Sequence, residues 1–263
     1  MLRRLGVAFG LARFVLGLAV AGLAVAGLAV ADPAVAYAQA PGQGPPMPIA
    51  TDLAKVPVGS WADYSMVMGQ MAPMKMRMAL VGKSPAGNTM ETTVEGGMMT
   101  AAGKMVMHME LGPGAEAPVK KVVMQIGAGD PMELPTEMTG SKPFTKPNPK
   151  SQVGSETLKV AAGSFKTKHY RDKTPQGDKI DYWVSDSVPP LGIVKIEVEQ
   201  KNNPQIKGKL KFELTGTGKD AKQAVTKPAK PFDQAALMQQ MMAGSGGGKP
   251  GSPPPPPPPP AKK

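Results

Sequence analysis

Methionine at every second position is the feature that most restricts what this chain can form. Met74-Lys75-Met76-Arg77-Met78 and Met105-Val106-Met107-His108-Met109 each space three thioethers two residues apart. Twelve of the chain's 20 methionines fall between Tyr64 and Met109. On a strand, residues two apart share a face and sit ~6.8 Å apart along the chain. Two readings fit this spacing. Methionine fills irregular apolar interiors, so the runs can be the dry face of a sheet whose wet face carries Lys75 and Arg77. Thioethers are also soft ligands that suit Cu(I), so the runs can be a metal box.

The rest of the chain favours the sheet. Leu80 continues the face of Met74, Met76 and Met78, where an aliphatic residue is an ordinary core choice. Period-two alternation recurs from about Gly59 to about Gly218, which is the pattern of strands half buried on one face. Ile193 to Gln200 sets Val194, Ile196 and Val198 against Lys195, Glu197 and Glu199. Residues 206 to 217 set Leu210, Phe212 and Leu214 against Lys209, Lys211 and Glu213. Turn clusters such as Gly82 to Asn88, Gly112-Pro113-Gly114 and Val188 to Gly192 punctuate the strands at short intervals. The expected fold is mainly β: a curved antiparallel sheet or half-barrel of about ten strands, with disordered N- and C-terminal segments. Pro131 to Met138 reads as one short strand and 139–153 as a loop.

The ends differ in composition. Arg3, Arg4 and Arg13 precede an uncharged run from Phe14 to Ala31 that holds three GLAVA repeats. Ala36-Tyr37-Ala38 then offers a small-residue cleavage site, so residues 1–38 read as an export signal cut near Ala38. That places the chain in the periplasm or outside the cell. Residues 39–58 read as a flexible lead-in. Residues 219–263 read as a linker, a short helix over Phe232 to Met242, a Gly/Ser spacer, and eight prolines from Pro253 to Pro260. Eight prolines make a polyproline II rod of about 25 Å, which could contact an envelope polymer or a protein partner and so act as a scaffold. The formal charge is +11 and aromatics are 5%. The basic residues are dispersed and form no recognition helix, so nucleic acid is not the expected partner.

Catalytic chemistry finds little to work with. There is no cysteine and there are two histidines, His108 and His169. A Ser/His/Asp set can be composed from Ser164 or Ser185, His169 and Asp172 or Asp181, but no Gly-x-Ser-x-Gly elbow supports it. No phosphate loop or dinucleotide fingerprint occurs, and two histidines are few for a zinc site. The chain is therefore expected to be non-enzymatic and to need no cofactor. The copper alternative draws on Met71, Met74, Met76 and Met78, with His108 as a supplementary ligand. The preferred expectation is that Met66, Met68, Met74, Met76, Met78, Met105, Met107 and Met109 contact a lipid or other apolar ligand, or a lipidated partner. Unbranched, polarizable side chains can repack around varied shapes.

Three segments carry a resemblance: Val160 to Tyr170 (VAAGSFKTKHY), Asp181 to Asp186 (DYWVSD) and Val188 to Lys195 (VPPLGIVK). Over 154–218 the chain resembles the second half of DUF3108-like or lipoprotein-carrier-like (LolA/LolB-like) envelope β-proteins. The resemblance implies a curved antiparallel sheet over an apolar cavity, with apolar-ligand binding and no catalytic residues. The carrier pattern plugs its cavity with a long amphipathic helix. Here 56–218 contains no such segment, and only 232–242 could serve.

Overall fold

The computed structural model describes residues 47–69, 72–97, 103–114, 116–135, 142–173, 177–199 and 209–237. The proposed signal, its cleavage site, Met71, the distal part of the proposed helix and the proline run lie outside them.

The chain builds two antiparallel meanders and joins them. The first is β2 (Trp61–Met68), β3 (Met74–Ser84), β4 (Gly87–Gly96), β5 (Met105–Leu111), β6 (Val119–Ile126) and β7 (Met132–Leu134). The second is β9 (Gln152–Val160), β10 (Gly163–Lys173), β11 (Lys179–Val184), β12 (Ile193–Glu199) and β13 (Lys209–Gly218). β13 returns to pair with β2, so the two meanders form one sheet. A short parallel strand, β14 (Lys230–Pro231), adds to the edge at β7 and completes twelve strands in the order β14-β7-β6-β5-β4-β3-β2-β13-β12-β11-β10-β9. β1 (Met47–Pro48) and β8 (Phe144–Thr145) pair separately.

The expected sheet is present, with more strands than the alternation disclosed. Register shifts at Leu80/Gly82, Glu110/Leu111, His169/Tyr170, Trp183/Val184 and Leu214/Gly216 interrupt the ladders. Each extra residue bends its strand and increases local twist. Cα atoms of β9 come within 8 Å of β13, although three strands separate them in the sheet.

Two segments expected to be loose are built in. Residues 47–56, placed in a flexible lead-in, hydrogen-bond through Met47 N–H to Pro143, Ile49 N–H to Thr145 and Ala50 N–H to Leu191. Met47, Ile49, Leu53 and Val56 are buried in the core. Ile49, Leu53 and Val56 stand at helical spacing, but the segment forms no helix and is mostly irregular, so periodicity does not reveal how it is buried. Residues 219–231, placed in a linker, cross the sheet's wet face from the end of β13 to the far edge. Ala221 N–H bonds to Gly59 O, and Lys230 N–H bonds to Pro131 O. The region 139–153 likewise contains β8 and the start of β9 where a loop was expected.

Among the described glycines Gly87 has the least space for a side chain. Gly87 opens β4 at φ +147°, and a Cβ there would lie 1.8 Å from the carbonyl oxygen of Leu111 on β5. Gly87→Ala is expected to cost about 2 kcal/mol, because the backbone of β4 and β5 must part. Gly154→Ala, on the edge strand with nothing within 4 Å, should stay within about 0.5 kcal/mol. Thermal melts of the two variants check the difference.

Candidate functional site

The cross-strand register turns the methionine runs into four rows across one sheet face. Phe212, Met66 and Met74 form one row. Leu214, Tyr64, Met76, Val94, Met105 and Ile126 form the next. Ala62, Met78, Thr92, Met107, Met124 and Met132 form the third. Leu80, Met90, Met109, Val122 and Leu134 form the fourth. Met68 lies opposite Leu210 at the end of β2. The eight methionines proposed to contact a ligand therefore share one face, and none is more than 4% exposed. They are enclosed within one hydrophobic cluster.

That cluster also contains chain segments from outside the sheet: Ile49 and Leu53 from the N-terminal segment, Leu191 from the β11–β12 turn, and Leu237 from helical residues 234–237. Phe232 and Ala236 pack against it half-buried. Asp233 caps this turn by accepting from the N–H groups of Ala235 and Ala236. The polar groups of the face are internally satisfied where they are largest. Tyr64 donates to the carbonyl of Ile193 at 3.2 Å and stacks on Phe212 with ring centroids 4.2 Å apart. Burial first, then the charge of Asp63, pushes the Tyr64 phenol above its usual range.

The structure divides the proposed copper set. His108 faces away from Met107 and Met109, in the row of Trp61, Ala79, Glu91 and Val123 on the opposite face. Its Nδ1 lies 3.0 Å from Oε1 of Glu91. Met74, Met76 and Met78 share the buried face without it, and Met71 lies outside the described residues. Among the described residues no three His, Cys, Asp or Glu side chains gather as a metal site.

The catalytic set composed from the sequence is also divided. His169 Nε2 sits 2.8 Å from Asp181 Oδ1, and its ring stacks on Trp183 at 4.3 Å. Ser164 lies on the other face of β10 by alternation. Ser185 Oγ is hydrogen-bonded to Ser187 at 2.9 Å. Asp172 accepts from Ser151 and from the Tyr182 hydroxyl. For Asp181, burial opposes ionisation, but hydrogen bonds from Arg171, Lys179 and His169 outweigh it and hold the carboxyl below its ordinary value.

The wet face holds a feature that the sequence did not announce. Glu91 is buried beneath residues 219–229. Its carboxylate accepts from Ala224 N–H at 2.7 Å, Val225 N–H at 3.0 Å and His108. Val225 packs on Val106 and Val123 in a second small cluster. Beside this crossing lies an open groove of about 1000 Å³, lined by Asp63, Lys75, Arg77, Glu95 and Lys222 among others. Arg77 forks onto both oxygens of Asp63 at 2.6 and 2.8 Å and lies 4.2 Å over Trp61. In sequence, Glu91 alternates with Met90 and Thr92 exactly as a solvated residue would, so nothing marked it.

No family model matches the chain, and no curated protein does. Solved structures do match distantly. A Bacteroides fragilis structure, described as an exported protein with a YmcC-like fold, is 14% identical and covers 62% of this chain and 98% of its own, with a TM-score of 0.30. The hypothetical protein CT021 of Chlamydia trachomatis is 12% identical over 68% and 95%, with a TM-score of 0.37. A Parabacteroides distasonis structure described as a lipoprotein is 12% identical over 62% and 97%, with a TM-score of 0.30. At these scores the likeness carries no inference about site or function, and neither the DUF3108-like nor the carrier-like family is shown.

Proposed function

We propose that this chain is an exported, non-enzymatic binding protein of the cell envelope whose methionine face takes up the apolar chain of a lipid or a lipidated partner. The observation that carries the proposal is the make-up of that face. Half of the residues in the four cross-strand rows are methionines, and short segments at 47–56 and 232–237 pack with them. Linear thioethers repack at low cost, and the turn at 234–237 joins the cluster through Leu237. An acyl chain would displace the turn and occupy the same apolar contacts. The N-terminal signal pattern supports export. The placement of Ser164 on the opposite face of β10 from His169 supports a role without catalysis.

Native mass spectrometry with lipid extraction, on protein purified from the producing cell's envelope, tests this. A bound lipid mass that is lost on extraction and regained on adding the extract is the expected result. Protein that carries no lipid and binds none would end the proposal. A Cu(I) competition titration on the same sample addresses the thioether alternative. Affinity that vanishes in the triple variant M74L/M76L/M78L, with the fold kept, would replace lipid by copper.

A further inference from the structure

We propose that the outward face of the β9–β10 hairpin is a docking surface for an anionic lipid bilayer. The hairpin projects past its neighbour: β11 pairs only with Lys168 to Lys173 of β10, which leaves Gly163 to Thr167 paired to β9 alone. Its two faces differ sharply. On one, Leu158, Val160 and Phe165 pack against the core and Thr167 is buried. On the other, the register sets Ser164 opposite Lys159, Lys166 opposite Thr157 and Lys168 opposite Ser155. All six of these residues are exposed.

This face is therefore made only of ammonium and hydroxyl groups over three consecutive pairs. Lys168 and Lys166 are ~6.8 Å apart along their strand, and Lys159 is diagonal to Lys166 at ~7–8 Å. Among the described residues none of the three has a carboxylate partner, whereas Arg171, Lys179, Lys195 and Lys211 are each salt-bridged. The hairpin's own carboxylates are engaged elsewhere. Glu156 is on the opposite face, bonded to Trp183 Nε1 at 2.6 Å, and Asp172 is held by Ser151 and Tyr182. Three unrelieved cations at this spacing repel one another, and that repulsion is relieved by an array of anions. Phosphate headgroups in a leaflet supply such an array, with the hydroxyls of Ser155, Thr157 and Ser164 as donors between the charges.

The face also lies on the same side of the sheet as the buried row beyond it. Lys168 is opposite Val184, and Tyr170 is opposite Tyr182, with ring centroids 5.2 Å apart. Docking here would bring that apolar side of the sheet to the membrane surface. The inference goes beyond the binding proposal and does not depend on what the methionines hold.

Vesicle co-sedimentation of the purified protein, with its native ends, tests it. Phosphatidylcholine vesicles doped with phosphatidylglycerol are compared with phosphatidylcholine alone, at low and high salt. The hairpin variant K159Q/K166Q/K168Q is expected to lose about 100-fold in partitioning to the anionic vesicles, the combined effect of three lysines at a charged leaflet. The groove variant K75Q/K104Q/K222Q removes the same charge elsewhere and is expected to change partitioning less than about threefold, since screening confines each charge to a Debye length. Equal losses in the two variants would mean diffuse attraction to the net charge and would overturn the proposal. So would wild-type protein that ignores anionic vesicles, or inorganic phosphate binding at the hairpin without vesicle binding. Because all three lysines are exposed, unchanged thermal melts are expected for both variants. Lipid extraction from the hairpin variant should still return the wild-type cargo, so failure of docking and failure of cargo binding read separately.

Discussion

Replacing Glu91 with alanine is expected to cost about 3 kcal/mol, because one buried carboxylate holds three donors. Ala224 N–H, Val225 N–H and His108 all lose their acceptor together. The released segment can regain water at its amides, which keeps the cost below that of a sealed charge. The damage should be local. Residues 219–231 are fastened at Glu91, by Trp61 Nε1–H donating to Asp220 at 2.6 Å, and by Lys230 on Asp130 at 2.6 Å. The central fastening is the one removed. Hydrogen exchange at Ala224 and Val225 should rise by about two orders of magnitude, in line with ~1.4 kcal/mol per tenfold, while amides of β2 and β13 hold. Unchanged protection at those two amides would show that Glu91 does not fasten the segment.

The same site fixes a pH dependence. Burial alone would raise the pKa of Glu91, but the hydrogen bonds from His108, Ala224 and Val225 outweigh it and leave it below the ordinary carboxylate range. A carboxylate with a depressed folded value contributes its full stability above the unfolded value, near ~4.3. That contribution declines as pH falls through the folded value. Wild-type protein should therefore keep the segment fastened at neutral pH and release it only in strong acid. Glu91→Gln should remove that acid transition and cost less than alanine, since one carbonyl acceptor survives.

What the sequence disclosed and what it hid follow from where each residue gets its burial. Met74, Met76 and Met78 alternate with Lys75 and Arg77, so a face buried by the sheet's own pleat shows as period two. The same period made Glu91 and His108 look solvated. They are covered by residues 224–225, more than a hundred positions away in the chain, and local alternation cannot register a cover that arrives from elsewhere. Bulges hide in the same way. Alternation aligns Val194 with Ile196, yet the register shift at Trp183/Val184 puts Ile193 opposite Val184 and leaves Val194 as the extra residue, with both buried. The pairing of β13 with β2, which makes two meanders into one sheet, has no local signal. The methionine face itself was legible as a face. That it is enclosed depends partly on Ile49, Leu53 and Leu237, whose segments carry the composition of loops.

Phe212→Ala is expected to cost about 4 kcal/mol, the usual range for emptying a buried phenylalanine site. Phe212 is fully buried at the join of the two meanders, between Ile196 on β12 and Met66 on β2. Its stack with Tyr64 adds about 1 kcal/mol beyond area, and losing it also loosens the Tyr64 hydroxyl from Ile193. Neighbouring methionines can fill only part of the space, because their own backbones are fixed by paired strands. Met76→Leu, one row away and equally enclosed, should cost less than about 1.5 kcal/mol, since volume is conserved. Denaturant midpoints with equal slopes measure both. A small penalty for Phe212→Ala would mean that the methionine rows flow into the gap, and the face would then be an adaptable lining even at its centre. A large penalty beside a cheap methionine swap places rigidity at the aromatic join and plasticity in the thioether rows. An acyl chain could then enter among the thioether rows without loosening the aromatic join between the two meanders.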